Sequence, residues 1–554
     1  MSEADDTTQG RAFAAHPAMG ALPENLFGAD GAYAQFFKMF DPVAMMRQNI
    51  ELGERMMKIM WGTSDLDPAT ADARFKDPAW TNNPFYKRLG QAYLAMTDAI
   101  KGMIPEDLEP DDKARAALAA DIVTSAFAPT NTLAGNPAAM LRAVETKGDS
   151  LAKGFRNFLD DWLNNEGMPQ QVDTSQFKVG STLALTPGKV VHKTEMFELI
   201  HYAPTEDEVY ETPVLLVPPQ INRYYFTDLA PGRSFAEYVL SRGLNHFVIS
   251  WRNPQAEHAH WSLSDYTEAT LEAMEAVAQI AGSKQINLIG FCAGGITAAL
   301  ASGYLAAKKK KLVNTLALCV TMLNWKIEAQ LGAFRFPAML DVVRAQSEMK
   351  GILPGSDLGK VFTWLRPTDL VWNYWVNNYL MGEDPPAFDI LAWNADSTNL
   401  PRQLHSDFLG LFEHNELTVP GAFEILGEKV DLGKVKVDSY VVGAVNDHLT
   451  PWKACYDSCN LLGGKSTFAL SNGGHVAALV NPPTNPKAHH YVAPGTKQTG
   501  DEWFETAEKM PGSWWIGWAD WVSERSGEKI AAPSSLGSKK YAASANAPGS
   551  YALS

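Results

Sequence analysis

Residues 285–307, QINLIGFCAGGITAALASGYLAA, carry the most restrictive pattern in the chain. An apolar run typical of a buried strand ends in Gly-Phe-Cys-Ala-Gly, and a run of small residues typical of a helix follows at once. A change from strand to helix without a loop requires a sharp turn, which glycine permits because it has no Cβ. The pattern predicts a strand–turn–helix unit with Cys292 at the apex of the turn.

The surrounding segments repeat this alternation of strand and helix from about residue 186 onward. It stops after residue 322 and resumes in VKVDSYVVGAV and STFALS. Strand–helix–strand alternation indicates a mostly parallel sheet with helices on both faces. The intervening residues 323–435 are rich in Trp, Tyr, Pro and Asn, and an insertion of this size between two strands is expected to form a cap over the sheet. The strands are predicted in KVVHKTEMFELIHY, TPVLLVPP, NHFVISW, QINLIG and LVNTLALCV.

The domain organisation follows from the same change of pattern. Residues 1–185 show helical spacing of apolar residues and few strand signals, so we predict a helical N-terminal domain. About the first 25 residues are expected to be mobile. A catalytic α/β domain with the cap insertion is predicted over 186–530, and an extended tail over 531–554.

Composition excludes several classes of function. The net charge of −16, with one basic run at Lys308–Lys311, argues against nucleic acid as a partner, because binding phosphates requires clustered cations. The start of the chain, MSEADDTTQG, is acidic and does not resemble a secretory signal. Four cysteines form no dense framework, which favours the reducing cytosol. The uncharged stretch 289–307 is rich in Gly and Ala, so we expect a buried helix and no transmembrane segment.

The Gly-Phe-Cys-Ala-Gly turn fits the nucleophile elbow of the α/β-hydrolase fold, in which the apex residue attacks the substrate. The apex lies at a helix N-terminus, where the helix dipole favours a negatively charged thiolate. This fold places the acid and then the histidine after later strands. Asp447 follows the strand in VKVDSYVVGAV, and His475 follows STFALS. His448 is adjacent to the acid on the same loop, so His475 is the better candidate for the base.

The oxyanion hole of this fold uses backbone N–H groups. The first is predicted to be that of Ala293, directly after the nucleophile. The second should come from the loop LLVPPQINRYY, where two prolines have no N–H and Gln220 is the first available donor. His258 and His260 form a His-x-His pair, but no further spaced ligands accompany them, so no metal is expected.

Many further blocks resemble the polyhydroxyalkanoate synthases, in that family's order and over about residues 70–550. The length of the chain resembles the single-component synthases, and class I fits best, with some blocks like class II. By position, Cys292 resembles the family's nucleophile, Asp447 its acid and His475 its base. The blocks are RFKDPAWTNNPFY, FAPTNT, VPPQINRYYFTDL, SWRNP, GFCAGG, LRPTDLVWNYWVNNYL, FDILAWNADSTNLP, NDHLTPW, SNGGHVAALVNPP and PGSWWIGWADWV.

The resemblance implies an acyltransferase that polymerises (R)-3-hydroxyacyl-CoA thioesters through a cysteine acyl-enzyme. No cofactor is implied, since coenzyme A is the leaving group of the substrate. Phe291, an aromatic residue after the first glycine of the elbow, is common in synthases for short-chain monomers, so 3-hydroxybutyryl-CoA is the expected monomer. The blocks PPQIN, WVNNYL and PPAFDIL resemble the medium-chain synthases, which keeps medium-chain monomers as the alternative.

The resemblance also implies partners and a location. These are the growing polyester chain, granule coat proteins, a homodimer, and a cytoplasmic location at polyester granules. Two rival functions remain open at this point. One is a thioesterase or polyester depolymerase of the same fold, and the other is a non-catalytic granule-surface protein.

Overall fold

A computed structural model describes residues 42–327 and 329–554. The N-terminal segment predicted to be mobile lies outside the described residues. By spatial contacts the chain divides into two compact units. The first contains the chain up to Asp173 together with Gln330–Met339 and Asp357–Ala387, and the second contains Thr174–Ala329, Leu340–Ser356 and Phe388–Ser554. The domain boundary at residue 185 and the single insertion 323–435 were inferred from sequence patterns alone and stay predictions.

The elements are numbered in chain order, helices of at least six residues and strands of at least three. The helices are α1 Pro42–Trp61, α2 Pro84–Gly102, α3 Pro110–Ala126, α4 Pro137–Glu145, α5 Asp149–Asn164, α6 Phe235–Ser241, α7 Leu263–Ala281, α8 Ala293–Ala307, α9 Pro337–Lys350, α10 Gly355–Trp364, α11 Asp389–Ala395, α12 Arg402–His414, α13 Trp452–Leu461, α14 His475–Val480, α15 Gly500–Thr506 and α16 Trp514–Ser523. The strands are β1 Gly188–Lys193, β2 Phe197–Tyr202, β3 Glu208–Tyr210, β4 Val214–Val217, β5 His246–Trp251, β6 Ile286–Phe291, β7 Val313–Cys319, β8 Asp438–Ala444, β9 Ser466–Ser471, β10 His489–Gly495, β11 Glu508–Pro511 and β12 Lys529–Ala531.

The described part of the first unit is built from helices, and the residues at the start of two of them explain where each helix begins. Proline occupies the first position of α2 and α4, where a missing N–H is harmless. The preceding Asn83 and Asn136 cap these helices by accepting a backbone N–H from the first turn. A small aromatic core forms nearby, with Phe75 and Trp80 in edge-to-face contact at 4.5 Å. The predicted helical character of this region agrees with these elements.

The segment DLVWNYWVNNYL of the first unit is wound more widely than an α-helix. It forms two π-helical turns, Thr368–Trp372 and Trp375–Leu380. Helix α5 packs against the second turn, and a Cβ at Gly154 would lie 1.9 Å from the Tyr379 carbonyl oxygen. The Tyr379 hydroxyl donates to the buried Asp161 carboxylate at 2.7 Å. Tertiary packing of this kind overrides the local preference for an α-helix.

The second unit is organised around a ten-stranded sheet in the order β1-β2-β5-β4-β6-β7-β8-β9-β10-β11. The six central strands are β5, β4, β6, β7, β8 and β9 in their order across the sheet, and all neighbours among them pair in parallel. The predicted mostly parallel sheet is therefore confirmed. Antiparallel strands complete both edges, and β10 and β11 had no prediction because their residues lack a continuous apolar run.

The sheet topology determines where chemistry can occur. In parallel sheets flanked by helices, functional groups gather in loops at the carboxyl ends of the strands. The loops after β4, β6, β8 and β9 carry Gln220, Cys292, Asp447 and His475 respectively. Strands β4 and β6 are buried along their whole length, which gives these loops a rigid base. The four predicted site residues therefore start from the same edge of one sheet.

The segment predicted as a tail, 531–554, runs beside the outer edge of β1. The Ser544 N–H donates to the Val190 carbonyl at 2.8 Å, and the Val190 N–H donates to the Ala545 carbonyl at 2.9 Å. Further along, the backbone N–H groups of Ser550 and Tyr551 donate to the carboxylate of Glu198 on β2. The segment is thus held by backbone pairing and by a buried carboxylate.

Within residues 42–327 and 329–554, none of the helices combines the length and the apolar character needed to cross a bilayer.

Candidate active site

The predicted elbow is present at the end of β6. Cys292 has φ 52° and ψ −123°, and helix α8 begins at the next residue. Its N–H donates to the Cys319 carbonyl of β7 at 2.9 Å, and its carbonyl accepts from Gly295 N–H and from the Thr321 hydroxyl. A non-glycine residue with positive φ is strained and persists only where its surroundings hold it. The Cys292 side chain, partly exposed, stands at the start of the helix.

The glycines of the elbow are required by close backbone approaches. A Cβ at Gly290 would lie 2.5 Å from the Cα of Gly295, so the strand and the helix could not meet as they do. A Cβ at Gly294 would lie 2.3 Å from the Val217 carbonyl oxygen. The second glycine therefore lets the first turn of α8 pack against the end of β4, next to the loop that carries Gln220.

Asp447 is held by four donors. Its Oδ1 accepts the N–H groups of Leu449 and Thr450 at 2.8 and 2.9 Å, and its Oδ2 accepts the Thr450 hydroxyl at 2.8 Å. His475 Nδ1 lies 2.7 Å from the same Oδ2. Burial raises the pKa of Asp447, but the charge of His475 and these hydrogen bonds outweigh it, so the pKa lies below its ordinary value. The carboxylate is therefore ionised and fixed in orientation.

His475 is the first residue of α14 and is buried. Burial by itself lowers the pKa of this imidazole. The Asp447 carboxylate and the Cys292 side chain act against burial and raise the pKa of His475 well above its ordinary value. The protonated imidazole is thus favoured. An imidazole placed between a carboxylate and a cysteine is an arrangement that can activate a thiol.

The structure brings together three of the predicted site residues, Cys292, Asp447 and His475. His448, the alternative base, lies on the acid's own loop, and the contact with Asp447 is made by His475. Their catalytic roles stay predictions.

The two predicted oxyanion donors lie on the elements expected for them. Ala293 opens α8, whose first N–H groups have no intrahelical partner, and the Cys292 side chain does not cap the helix. Gln220 is buried, and its side-chain Nε2 donates to the hydroxyl of Thr297 on α8 at 2.9 Å. The side chain of Gln220 thus joins its loop to the nucleophile helix.

Phe291, the residue on which the short-chain prediction rests, is part of the hydrophobic core. Its ring is fully buried in the core of the second unit, 5.4 Å from the ring of Phe235 and 5.9 Å from that of Phe226. An aromatic core contact explains this residue without any contact to substrate. The structure therefore adds no support to a prediction of monomer length from Phe291.

Thr450 is a site residue that sequence reasoning missed. Its hydroxyl lies 2.8 Å from Asp447 Oδ2, 3.2 Å from His475 Nδ1 and 3.1 Å from the Val320 carbonyl oxygen. The spacing Asp-x-x-Thr could have indicated it, because an aspartate often accepts bonds from residues two and three positions later.

In the part of the chain that the structure describes, no group of three or more His, Cys, Asp or Glu side chains is arranged to hold a metal ion. His258, half of the His-x-His pair, packs against the ring of Trp261 at 4.2 Å, and its Nδ1 accepts the Gln255 N–H. This histidine is accounted for by packing and local hydrogen bonding.

Sheet, elbow and triad geometry together define an enzyme of the α/β-hydrolase fold. The family model for that fold matches residues 216–482, and the model described as the poly-beta-hydroxybutyrate polymerase N-terminus matches residues 71–239.

Curated relatives extend this match to nearly the whole chain. Poly(3-hydroxyalkanoate) polymerase 1 of Ectopseudomonas oleovorans is 44% identical over 92% of this chain and 91% of its own. Polymerase 2 of the same organism is 43% identical over 92% of both chains, and the polymerase subunit of Cupriavidus necator is 37% identical over 87% of this chain and 82% of its own. Among solved structures, a hydrolase from Pseudomonas aeruginosa is 14% identical, covering 55% of this chain and 94% of its own at a TM-score of 0.34, a likeness too weak to add to the family match.

The chain belongs to the poly(3-hydroxyalkanoate) polymerase family, and it is an acyltransferase of that family. The resemblance to the polyhydroxyalkanoate synthases is confirmed, as is the α/β-hydrolase fold. The similarity to polymerases extends far beyond the triad. It therefore argues against both alternatives, a thioesterase or depolymerase of the same fold and a non-catalytic granule-surface protein.

Proposed function

We propose that this chain polymerises (R)-3-hydroxyacyl-CoA thioesters into polyhydroxyalkanoate, with Cys292 as the covalent carrier. The observation that carries the proposal is the 2.7 Å contact of His475 Nδ1 with Asp447 Oδ2, beside a cysteine elbow in a polymerase-family chain. The reaction needs no cofactor, since coenzyme A leaves with the substrate's own sulfur.

Acylation of Cys292 is the first step. His475 takes the thiol proton, and the thiolate attacks the thioester carbonyl carbon. The N–H groups of Ala293 and Gln220 stabilise the oxyanion that forms. The bond from carbonyl carbon to CoA sulfur then breaks, and the CoA thiolate leaves with the proton held by His475. A 3-hydroxyacyl group remains on Cys292.

Elongation transfers an acyl group to an alcohol. A 3-hydroxyl attacks the thioester on Cys292 while His475 accepts the hydroxyl proton, and the released thiolate regains a proton from His475. We assign the base to His475 and an orienting role to Asp447. The Asp447 side chain is fully buried and already accepts bonds from Leu449, Thr450 and His475, which supports that division.

A thiol is the suitable carrier for this chemistry. A thioester on Cys292 is close in free energy to the CoA thioester that supplies it, so loading is nearly balanced. Transfer from the thioester to an alcohol is favourable, whereas a serine ester would be about as stable as the polyester product. The cysteine therefore keeps both half-reactions accessible.

The test is incubation of the purified protein with 3-hydroxybutyryl-CoA. We expect free CoA and insoluble polyester to appear in parallel. Free CoA with free hydroxy acid would instead indicate a thioesterase, and no release of CoA would indicate a non-catalytic protein. The same assay with 3-hydroxyoctanoyl-CoA decides the monomer: the short-chain prediction requires a higher kcat/KM for the hydroxybutyryl substrate.

Association with polyester granules is the second part of the proposal, and the α4–α5 face supports it. We use this name for Leu141 and Val144 of α4 with Phe155, Leu159, Trp162 and Leu163 of α5. The four α5 residues recur at helical spacing and are 60, 40, 52 and 76% exposed. Phe158, whose ring contacts those of Phe155 and Trp162, borders the stripe and packs against Tyr379 of the π-helical turn in the same unit. An apolar stripe of this size suits the apolar polyester that the proposed reaction makes.

Removing the α4–α5 face should weaken granule binding. The triple change Phe155→Ser, Trp162→Ser and Leu163→Ser removes side chains whose burial is worth about 1.5–3 kcal/mol each. We expect the fraction of protein that sediments with poly(3-hydroxybutyrate) particles to fall more than about tenfold. Release of CoA from soluble substrate should change little.

The matched control changes Met349 and Val419 to serine. Both are exposed apolar residues, 80 and 56% accessible, and both belong to the second unit. Equal sedimentation of the triple variant and wild type would contradict a role of this face in granule binding.

A cytoplasmic location, homodimerisation and contact with granule coat proteins complete the proposal, on the basis of the family resemblance. Light scattering of the purified protein with and without substrate tests the dimer directly. Pull-down from isolated granules, with the triple variant as control, tests the coat proteins.

A further inference from the structure

The loop after β4 is held firmly on the side that faces the sheet. The Pro218 carbonyl accepts the Trp251 indole N–H at 2.9 Å, and Gly294 of the nucleophile helix packs against this carbonyl. The Gln220 side chain is bonded to Thr297 of the same helix. The start of the loop is therefore fixed to β5 and α8.

On its far side the loop is bonded to Thr398, which follows α11 by three positions. Its hydroxyl oxygen accepts the Asn222 N–H at 2.8 Å and donates to the Gln220 carbonyl oxygen at 3.1 Å. Thr398 is 6% exposed, so water does not easily replace either bond. One hydroxyl group thus bridges two backbone groups on either side of Ile221.

The bridge spans a turn in the left-handed region. Asn222 has φ 74°, a conformation that asparagine adopts more readily than most residues but that competes with right-handed and extended alternatives. The two Thr398 bonds favour this conformation over the alternatives. Neighbouring bonds anchor the segment that carries Thr398: Asp396 accepts from Arg223 at 2.9 Å and from Tyr225 at 2.8 Å.

We propose that Thr398 is a positioning residue for the oxyanion hole, acting through the backbone of Gln220. The inference rests on the proposed function, in which the Gln220 N–H stabilises the oxyanion. Without the hydroxyl, the Gln220 carbonyl and the Asn222 N–H lose their shared partner, and the turn can take other conformations. The peptide that presents the Gln220 N–H then loses its fixed direction, while Cys292, Asp447 and His475 keep their own contacts.

This assignment separates two reactions of the same cysteine. Acylation by a CoA thioester develops an oxyanion and needs the hole. Alkylation of the thiol by iodoacetamide displaces iodide at a saturated carbon, develops no oxyanion and needs only the thiolate. A residue that acts through the oxyanion hole should affect the first reaction and leave the second unchanged.

The experiment compares Thr398→Val with wild type in both reactions. We expect the rate of CoA release in the acylation step to fall about tenfold to a hundredfold. The rate of iodoacetamide alkylation of Cys292 and its pH profile should stay unchanged. Thr398→Ser, which retains the hydroxyl, should recover acylation to within about threefold of wild type.

Thr270→Val is the matched control, since Thr270 is also buried and its hydroxyl donates within its own helix, to Tyr266 at 2.8 Å. If Thr398→Val is not obtained folded, Thr398→Ala removes the same two bonds with no added methyl group. Unchanged acylation in a folded Thr398 variant would overturn the inference while leaving the cysteine mechanism intact. Parallel loss of acylation and alkylation would also overturn it, since that result indicates general damage to the site. Failure of the proposed function itself would instead appear as normal CoA release in Cys292→Ala.

Discussion

Cys292→Ala is expected to lower the rate of CoA release at least about ten-thousandfold and to abolish polymer formation. The thiol is the only group at the apex of the elbow that can form the covalent bond to the acyl group, and alanine leaves no replacement. Release of CoA from 3-hydroxybutyryl-CoA, followed with a thiol reagent, measures the effect. The glycine contacts that form the elbow do not involve the sulfur, so we expect the thermal midpoint to change little.

Two further variants test whether the effect depends on the thiol at position 292. They are Cys292→Ser and the control Cys459→Ala. The serine variant keeps a nucleophile but forms an ester as stable as the product, so polymer formation should remain lost. Cys459 is a buried cysteine of α13, and its removal should leave polymer formation close to wild type. Full polymer synthesis by Cys292→Ser would contradict the thiol argument.

Asp447→Asn is expected to lower kcat/KM about a thousandfold at neutral pH. The amide no longer supplies the negative charge that raises the pKa of His475, and it can present an N–H to the imidazole in place of an acceptor. In wild type the raised pKa means that His475 keeps its proton to a higher pH than an ordinary imidazole. In the variant that proton is lost at lower pH, so the alkaline limb of the pH profile for CoA release should move to lower pH.

The control for this change is Asp431→Asn. Asp431 caps a short 3-10 turn by accepting the Gly433 N–H at 3.0 Å and takes no part in the triad. Its substitution should leave both the rate and the pH profile close to wild type. An alkaline limb at the same pH in Asp447→Asn and wild type would contradict the assigned source of the His475 pKa.

The parts of the site that could be predicted are those encoded over short stretches. The elbow needs only the contiguous residues from β6 into α8, and each of Asp447 and His475 follows its own strand directly. The chain order of nucleophile, acid and histidine then connects them. For this reason the sequence alone predicts that Cys292, Asp447 and His475 form one site, although at least 28 positions separate any two of them.

The parts that could not be predicted depend on contacts between distant segments. Thr398 bonds to Gln220 across 178 positions, and nothing in the local sequence identifies its partner. Strands β10 and β11 lack an apolar run because they complete an edge of the sheet. The segments 330–339 and 357–387 join the helical unit through tertiary packing, which a change in sequence pattern cannot reveal.

The pairing of residues 544–547 with β1 also has a consequence for how the second unit folds. The Lys189 and Asn546 side chains that meet there are 357 positions apart, so we expect this long-range contact to close after the strands of the sheet have paired. Until it forms, the backbone of β1 is an unpaired strand edge, which can pair with another chain. Refolding at high protein concentration therefore exposes this edge to aggregation, and dilute conditions give the intramolecular pairing time to protect it.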